Sequence, residues 1–255
     1  MLYAILYMEY PEWLIQSLVC PESGSALQPQ KENLYVSNNG KKYYLKDNIL
    51  SIKPEYYAEE SLPLPNDFIS NISNKMIYSF QNKKIRDDVL KYLKKNKRKR
   101  FLEISSRQFY YQKDIRSALG NDVDMVAANT SWNILKKCQK ESKKLKISLF
   151  YVNHFRLPFK ENTFDIVFSF GNIASMKYPT VFLNECVRIS KSGGLIIWGD
   201  KYINLADLSL LNKNIMLKHY PDALKPMPDL PNKVYGVQKY FLHHKKAYLV
   251  IANKQ

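Results

Sequence analysis

With 255 residues, the chain is long enough for one full α/β domain plus a small appendage, and a sizeable core can be buried. Its 45% hydrophobic content excludes wholesale disorder, and no apolar run approaches the roughly 20 residues of a membrane-spanning helix. A formal net charge of +16 points to RNA or another anionic partner, or else to the Lys-, Asn- and Tyr-rich usage of an AT-rich genome.

The stretch from Met1 to Tyr10 is apolar and aromatic but has no basic leader, contains Glu9 and precedes no small-residue cleavage site, so it does not read as a signal peptide. The three cysteines, Cys20, Cys138 and Cys186, are odd in number and far apart. That pattern argues against a disulfide framework and for a reducing, cytoplasmic setting. Pro11 to Val19 has apolar residues at helical spacing, and Cys20-Pro21-Glu22-Ser23-Gly24 makes a knuckle-like turn. Short strands are expected over Asn33–Val36 and Lys42–Leu45 around an Asn38-Asn39-Gly40 turn, with Asn48–Ile52 closing a small unit over 1–53. Residues 54–76, with Pro54, Pro63 and Pro65, read as a connector.

A third unit is expected over 77–255. Ile77 to Lys95 has the apolar spacing of an amphipathic helix, and the run Lys94 to Arg100 is either a solvated helix end or a patch for phosphates. From Phe101 the chain alternates strand and helix, the pattern of a parallel sheet covered on both faces. Strands are expected at Phe101–Ile104, Val123–Ala127, Ile147–Val152, Phe164–Phe168 and Leu195–Gly199, and helices at Tyr111–Leu119, Trp132–Lys143 and Val181–Ser190. Gly193-Gly194 is expected to turn the chain into the fifth strand. A helix over Ala206–Lys218 and a final hairpin, Val234–Leu242 with Lys246–Ala252 joined at His243-His244, complete the order.

Two resemblances follow from particular residues. The segment LVCPESGSAL … LYVSNNGKKYYLKDNILSI resembles the small zinc-ribbon proteins that partner and activate tRNA and rRNA methyltransferases. A metal-binding ribbon would supply four thiolates, but Ser23, Val36 and Asn39 stand with Cys20 at the four positions. The ribbon is therefore expected to hold no zinc. Residues 77–252, above all LPFKENTFDIVFSF (Leu157–Phe170) and FLNECVRISKSGGLIIWGD (Phe182–Asp200), resemble class I S-adenosylmethionine-dependent methyltransferases of the type-11 kind. The resemblance implies a Rossmann-like α/β fold with a mostly parallel seven-stranded sheet and helices on both faces. In it, Phe159 and Phe164 would cap the sheet edge and Asp165 would open the fourth strand.

The same resemblance locates the cofactor positions. The acidic residue after the first strand is Glu103, while the glycine positions of the following turn hold Ser105, Arg107 and Phe109. The carboxylate that would accept both ribose hydroxyls is replaced by Asn129, and the adenine-side acid by Asn153, followed by His154. An amide offers one acceptor oxygen where a carboxylate offers two. These changes imply weak or absent S-adenosylmethionine binding and a non-catalytic scaffold or a protein partner for an active methyltransferase or assembly factor; the alternative is a divergent but active enzyme on a small molecule or RNA. Catalytic candidates are His154 and Asn172, against a packing histidine and a turn-forming asparagine. Trp132 could cover an adenine or simply pack, His243 and His244 are not expected to bind metal, and Cys138 and Cys186 read as small packing residues.

Overall fold

A computed structural model describes residues 10–30, 33–53, 86–87, 89–96, 98–105, 112–171, 173, 176, 178–201, 230–242 and 247–255. Arg107, Phe109, Asn172, the connector, the expected helix over 206–218 and His243-His244 lie outside these residues.

The first unit is a short helix α1 (Glu12–Gln16) followed by strands β1 (Leu27–Pro29), β2 (Leu34–Ser37), β3 (Lys42–Lys46) and β4 (Ile49–Ile52). Pro11 immediately precedes α1, where a missing N–H costs nothing. The turn between β2 and β3 closes by a bond from the Gly40 N–H to the Ser37 carbonyl at 2.8 Å, and Gly40 has φ +80°. β1, a three-residue strand ending in proline, was not anticipated by the apolar pattern.

Residues 89–95 are helical (α2) and lead into β5 (Arg100–Ser105). Then come α3 (Gln112–Leu119), β6 (Asp124–Asn129), α4 (Trp132–Lys144), β7 (Ile147–Val152), β8 (Phe164–Phe170), α5 (Pro179–Ile189), β9 (Ser190–Lys201), β10 (Val234–Leu242) and β11 (Ala247–Lys254). β5 and β6 are buried at five of six positions, as strands covered on both faces must be.

All eleven strands form one sheet in the order β1-β2-β3-β4-β7-β6-β5-β8-β9-β11-β10. This corrects the expected seven-stranded sheet: the seven run from β7 to β10, and four more continue beyond β7. Within the seven, β7, β6, β5, β8 and β9 are parallel neighbours, and β11 and β10 return antiparallel. The junction is parallel, with Ile49–Ile52 in register with Leu149–Val152. It supplies the backbone partners that an edge β7 would otherwise lack.

Two apolar layers sandwich the sheet. On one face Phe182, Leu183, Cys186 and Val187 of α5 pack with Leu102, Ile104, Phe150 and Val152, and the same layer includes Leu14, Leu18, Cys20, Leu27, Tyr35 and Tyr43. On the other, Leu93 of α2, Ile115 and Leu119 of α3 and Leu135 of α4 cover Phe101, Met125, Ile147, Leu149 and Ile49. Each buried Leu, Ile or Phe contributes roughly 1.5–3 kcal/mol. Phe159 and Phe164 do not cap an edge. Both are fully buried within the first layer, edge to face at 5.0 Å.

β9 starts at Ser190 rather than at Leu195, so the expected Gly193-Gly194 turn is a kink within a strand. Gly193 has φ +69°, and a Cβ at Gly194 would lie 2.6 Å from the Lys191 carbonyl oxygen. Only glycine fits such an approach.

Candidate functional site

In a parallel sheet of this kind, ligands bind outside the carboxyl ends of the strands, where the strand order reverses. Here the reversal lies between β5 and β8, so the candidate site is bounded by the ends of β5, β6 and β7.

Glu103 lies in β5 between Ala127 and Phe168 of the flanking strands and is 5% exposed. Burial pushes its carboxyl up to about 8, and nearby Gln112 of α3 only partly opposes that. Gln112 Oε1 accepts from Ser142 Oγ at 3.0 Å, while Gln112 Nε2 and Glu103 Oε2 have no hydrogen-bond partner among the described residues. Glu103 is therefore largely protonated at neutral pH. Ser105 ends β5, opposite Asn129.

Asn129 is fully buried at the end of β6, and its Oδ1 accepts the Ser131 N–H at 2.8 Å. This bond shapes the turn into α4, whose N-cap Ser131 makes no side-chain cap of its own. Asn153 repeats the device after β7, with Oδ1 accepting the Phe155 N–H at 2.7 Å. Among the described residues at the ends of β5, β6 and β7, Glu103 is the one carboxyl group. Both amide oxygens at these strand ends thus accept a backbone N–H from the turn that follows them.

His154 is 4% exposed, 5.5 Å from the Phe182 ring, with Nε2 unpartnered among the described residues. Burial pushes it down to about 4, against a hydrogen bond to the Ser105 backbone that favours the charged ring. It is neutral at pH 7 and lies just past the end of β7, near the Ser105 backbone at the end of β5. Trp132 packs edge-on against Tyr151 at 5.7 Å. Cys186 is buried and its thiol pushed up by burial, whereas Cys138 is half-buried on α4.

The two motifs with the strongest sequence signal have a structural role. Arg188 pairs with Glu185 and donates to the carbonyls of Phe159 at 2.7 Å and Leu157 at 2.9 Å, while Glu185 accepts the Leu157 N–H. α5 thereby clamps the loop after β7. Asp165, at the amino end of β8, accepts the Arg100 N–H at 2.9 Å and Lys191 Nζ at 2.8 Å, at the opposite end of the strands from the candidate site.

Sequence reasoning missed Arg156. Its Nη1 donates to the Pro21 carbonyl at 3.0 Å, tying the loop that carries Asn153 and His154 to the knuckle of the first unit. No local pattern marks this bond, which spans 135 positions. In that knuckle Cys20 Sγ lies 3.1 Å from the Tyr43 hydroxyl, and Ser23 hydrogen-bonds to Ser25. Asn39 accepts from Ser37, and Val36 lies within β2. Burial pushes the Cys20 thiol up, but hydrogen bonds from Ser23 and Tyr43 bring it below its ordinary value. Among the described residues no group of three or more His, Cys, Asp or Glu side chains is arranged for a metal.

Residues 102–198 match the family model of the methyltransferase domain. The demethylmenaquinone methyltransferases of Bacillus pumilus and Geobacillus kaustophilus are 30% and 29% identical over 128 residues, which are 49% of this chain and 54% of each relative. The chain thus spans about half the length of the curated relatives it matches. Haemonchus contortus phosphoethanolamine N-methyltransferase 2, solved with S-adenosyl-L-methionine, superposes with a TM-score of 0.58 at 14% identity, covering 79% of this chain and 61% of that one. An Aquifex aeolicus S-adenosylmethionine-dependent methyltransferase gives 0.51 at 15% identity over 73% of this chain and 97% of that one. A complex of the Haloferax volcanii Trm112 methyltransferase activator with a candidate methyltransferase gives 0.53 at 12% over 73% and 95%. Strand order, family model and superpositions agree: the chain has the class I methyltransferase fold, and residues 102–198 carry its methyltransferase-domain sequence.

Proposed function

We propose that the protein is a methyltransferase-fold scaffold with weak or absent S-adenosylmethionine binding, acting with an active enzyme or assembly factor. The observation that carries this reading is the commitment of the Asn129 and Asn153 oxygens to their own turns. Exchanging a charged two-oxygen acceptor for a single engaged amide oxygen costs about 1.5–3 kcal/mol, or roughly ten- to a hundredfold in affinity. Arg107 and Phe109 in place of glycine add bulk to the same turn in sequence. The contact of the Tyr43 hydroxyl with the Cys20 thiol, at 3.1 Å, supports a structural role for the first unit as well.

One observation favours a divergent but active enzyme, on a small molecule or RNA. Among the described residues three buried polar atoms, Glu103 Oε2, Gln112 Nε2 and His154 Nε2, lack partners, and a bound ligand would satisfy them. Isothermal titration with S-adenosylmethionine separates the two readings. The unmodified chain should give no saturable heat at micromolar cofactor, and Asn129→Asp combined with glycine at 107 and 109 should create binding. Micromolar affinity in the unmodified chain would overturn the scaffold reading in favour of the enzyme.

A further inference from the structure

Among the described residues, the first unit has one covered face and a second that opens at β3, where alternate residues are exposed. Tyr35, Tyr43 and Leu50 point into the layer beneath α5. Alternation sends Lys42, Tyr44 and Lys46 to the opposite side of β3. Register fixes which side that is: Tyr44 stands beside Ser51 and Lys46 beside Ile49, and Ile49 packs in the layer under α4. Lys42, Tyr44 and Lys46 therefore share the sheet face that carries α4. α4 packs over β6 and β7, leaving this part of the face exposed, with Tyr44 55% exposed.

Basic groups share the face with that tyrosine. Lys42 and Lys46 flank it along β3, and Lys53, just past β4, reaches the Tyr151 hydroxyl at 3.2 Å and lies 5.1 Å from its ring centroid. Lys136 on the flank of α4 bonds Asp47 in the β3–β4 turn at 2.8 Å, and exposed Lys140 follows one turn along. Asp47 offsets one of these charges. Lys53 follows Ile52, which is level with Val152, so the platform ends beside Asn153 at the candidate site.

We infer that this open face binds single-stranded RNA. A four-stranded sheet presenting an exposed ring among lysines offers one stacking surface and several phosphate contacts. Lysines alone would suit any polyanion. The central ring selects a strand whose bases are unpaired and free to stack, which a duplex or an acidic protein does not offer. The inference does not require S-adenosylmethionine to bind.

The test is fluorescence anisotropy of a labelled single-stranded RNA dodecamer at rising salt, without cofactor. Binding should weaken with salt by about 0.7 in log–log slope per lysine–phosphate contact, and Lys42→Ser with Lys46→Ser should flatten that slope. Tyr44→Ala should weaken binding about tenfold, Tyr44→Phe should restore it, and Tyr240→Ala on the opposite sheet edge should change nothing. Circular dichroism of each variant checks that the fold persists. No binding at low salt would overturn the inference. So would equal affinity for duplex RNA or for polyglutamate, and so would binding indifferent to Tyr44.

Discussion

Glu103 and His154 are both buried, uncharged at neutral pH and only a strand apart in the sheet, yet they bias stability in opposite directions. Glu103 holds its proton up to about 8, whereas an unfolded glutamate releases it near 4.5. The native state binds the extra proton between those values, so its contribution to stability is full below about 4.5 and is lost as pH rises through about 8. His154 is the reverse: its native value of about 4 lies below the ordinary 6.5, so its contribution is full above 6.5 and is lost as pH falls through about 4. Thermal unfolding from pH 4 to 9 should show a decline on both sides of a mildly acidic optimum. Glu103→Gln should abolish the alkaline limb and extend the acid limb up to about 6.5, because the two slopes oppose each other between about 4.5 and 6.5 in the unmodified chain. A parallel alkaline decline in that variant would show that another group is responsible. The positions of Asn129 and Asn153 at strand ends were legible through the family resemblance, which aligns them with the ends of the second and third strands. That their oxygens are spent on Ser131 and Phe155 was not, since an asparagine reads alike whether it faces a ligand or its own turn.

Among the elements, α1 shows how much a short helix can matter. Its five residues would not be stable alone. Trp13 anchors it: Nε1 donates to Asp124 at 2.8 Å, the ring meets Phe164 edge-on at 5.9 Å, and the Arg100 guanidinium lies 4.3 Å from the ring centroid. Arg98 likewise donates to the Gly193 carbonyl at 2.9 Å, so two arginines of the basic run before β5 are structural rather than free for phosphates. Trp13→Ala should cost about 3–5 kcal/mol, measured by urea denaturation, with Trp13→Phe losing less. The apolar runs marked β7 at its true bounds and β5 and β8 nearly so, because buried parallel strands are continuous in hydrophobicity. β1 escaped because three residues ending in proline carry no period, and the early start of β9 escaped because its kink looks like a loop in sequence.

At the scale of the molecule, the first unit and the sheet share a core. Tyr10 illustrates this: its hydroxyl donates to the Leu149 carbonyl at 2.8 Å, its ring stacks on Phe150 at 5.2 Å, and the Leu50 N–H donates to it. With one apolar layer running from Leu27 to Ala252, calorimetry should record a single unfolding transition, with calorimetric and van't Hoff enthalpies equal. Two separated transitions would mean that the units unfold independently. Equimolar zinc should leave the transition where it is, and a stoichiometric metal in purified protein would contradict the packing of Tyr43 against Cys20. The eleven-stranded continuity could not be read from the sequence, because nothing in the apolar pattern of β4 names the strand beside which it will lie.

The parallel junction of β4 with β7 also dictates an order of assembly. On a ribosome the N-terminal strands emerge long before the residues that complete them, and Tyr10 waits for a partner 139 positions away. Such distant pairings slow folding and leave apolar surface open to wrong associations during synthesis. The chain should therefore depend on chaperones until β7 has been translated, and truncations ending before Ile147 should aggregate rather than fold.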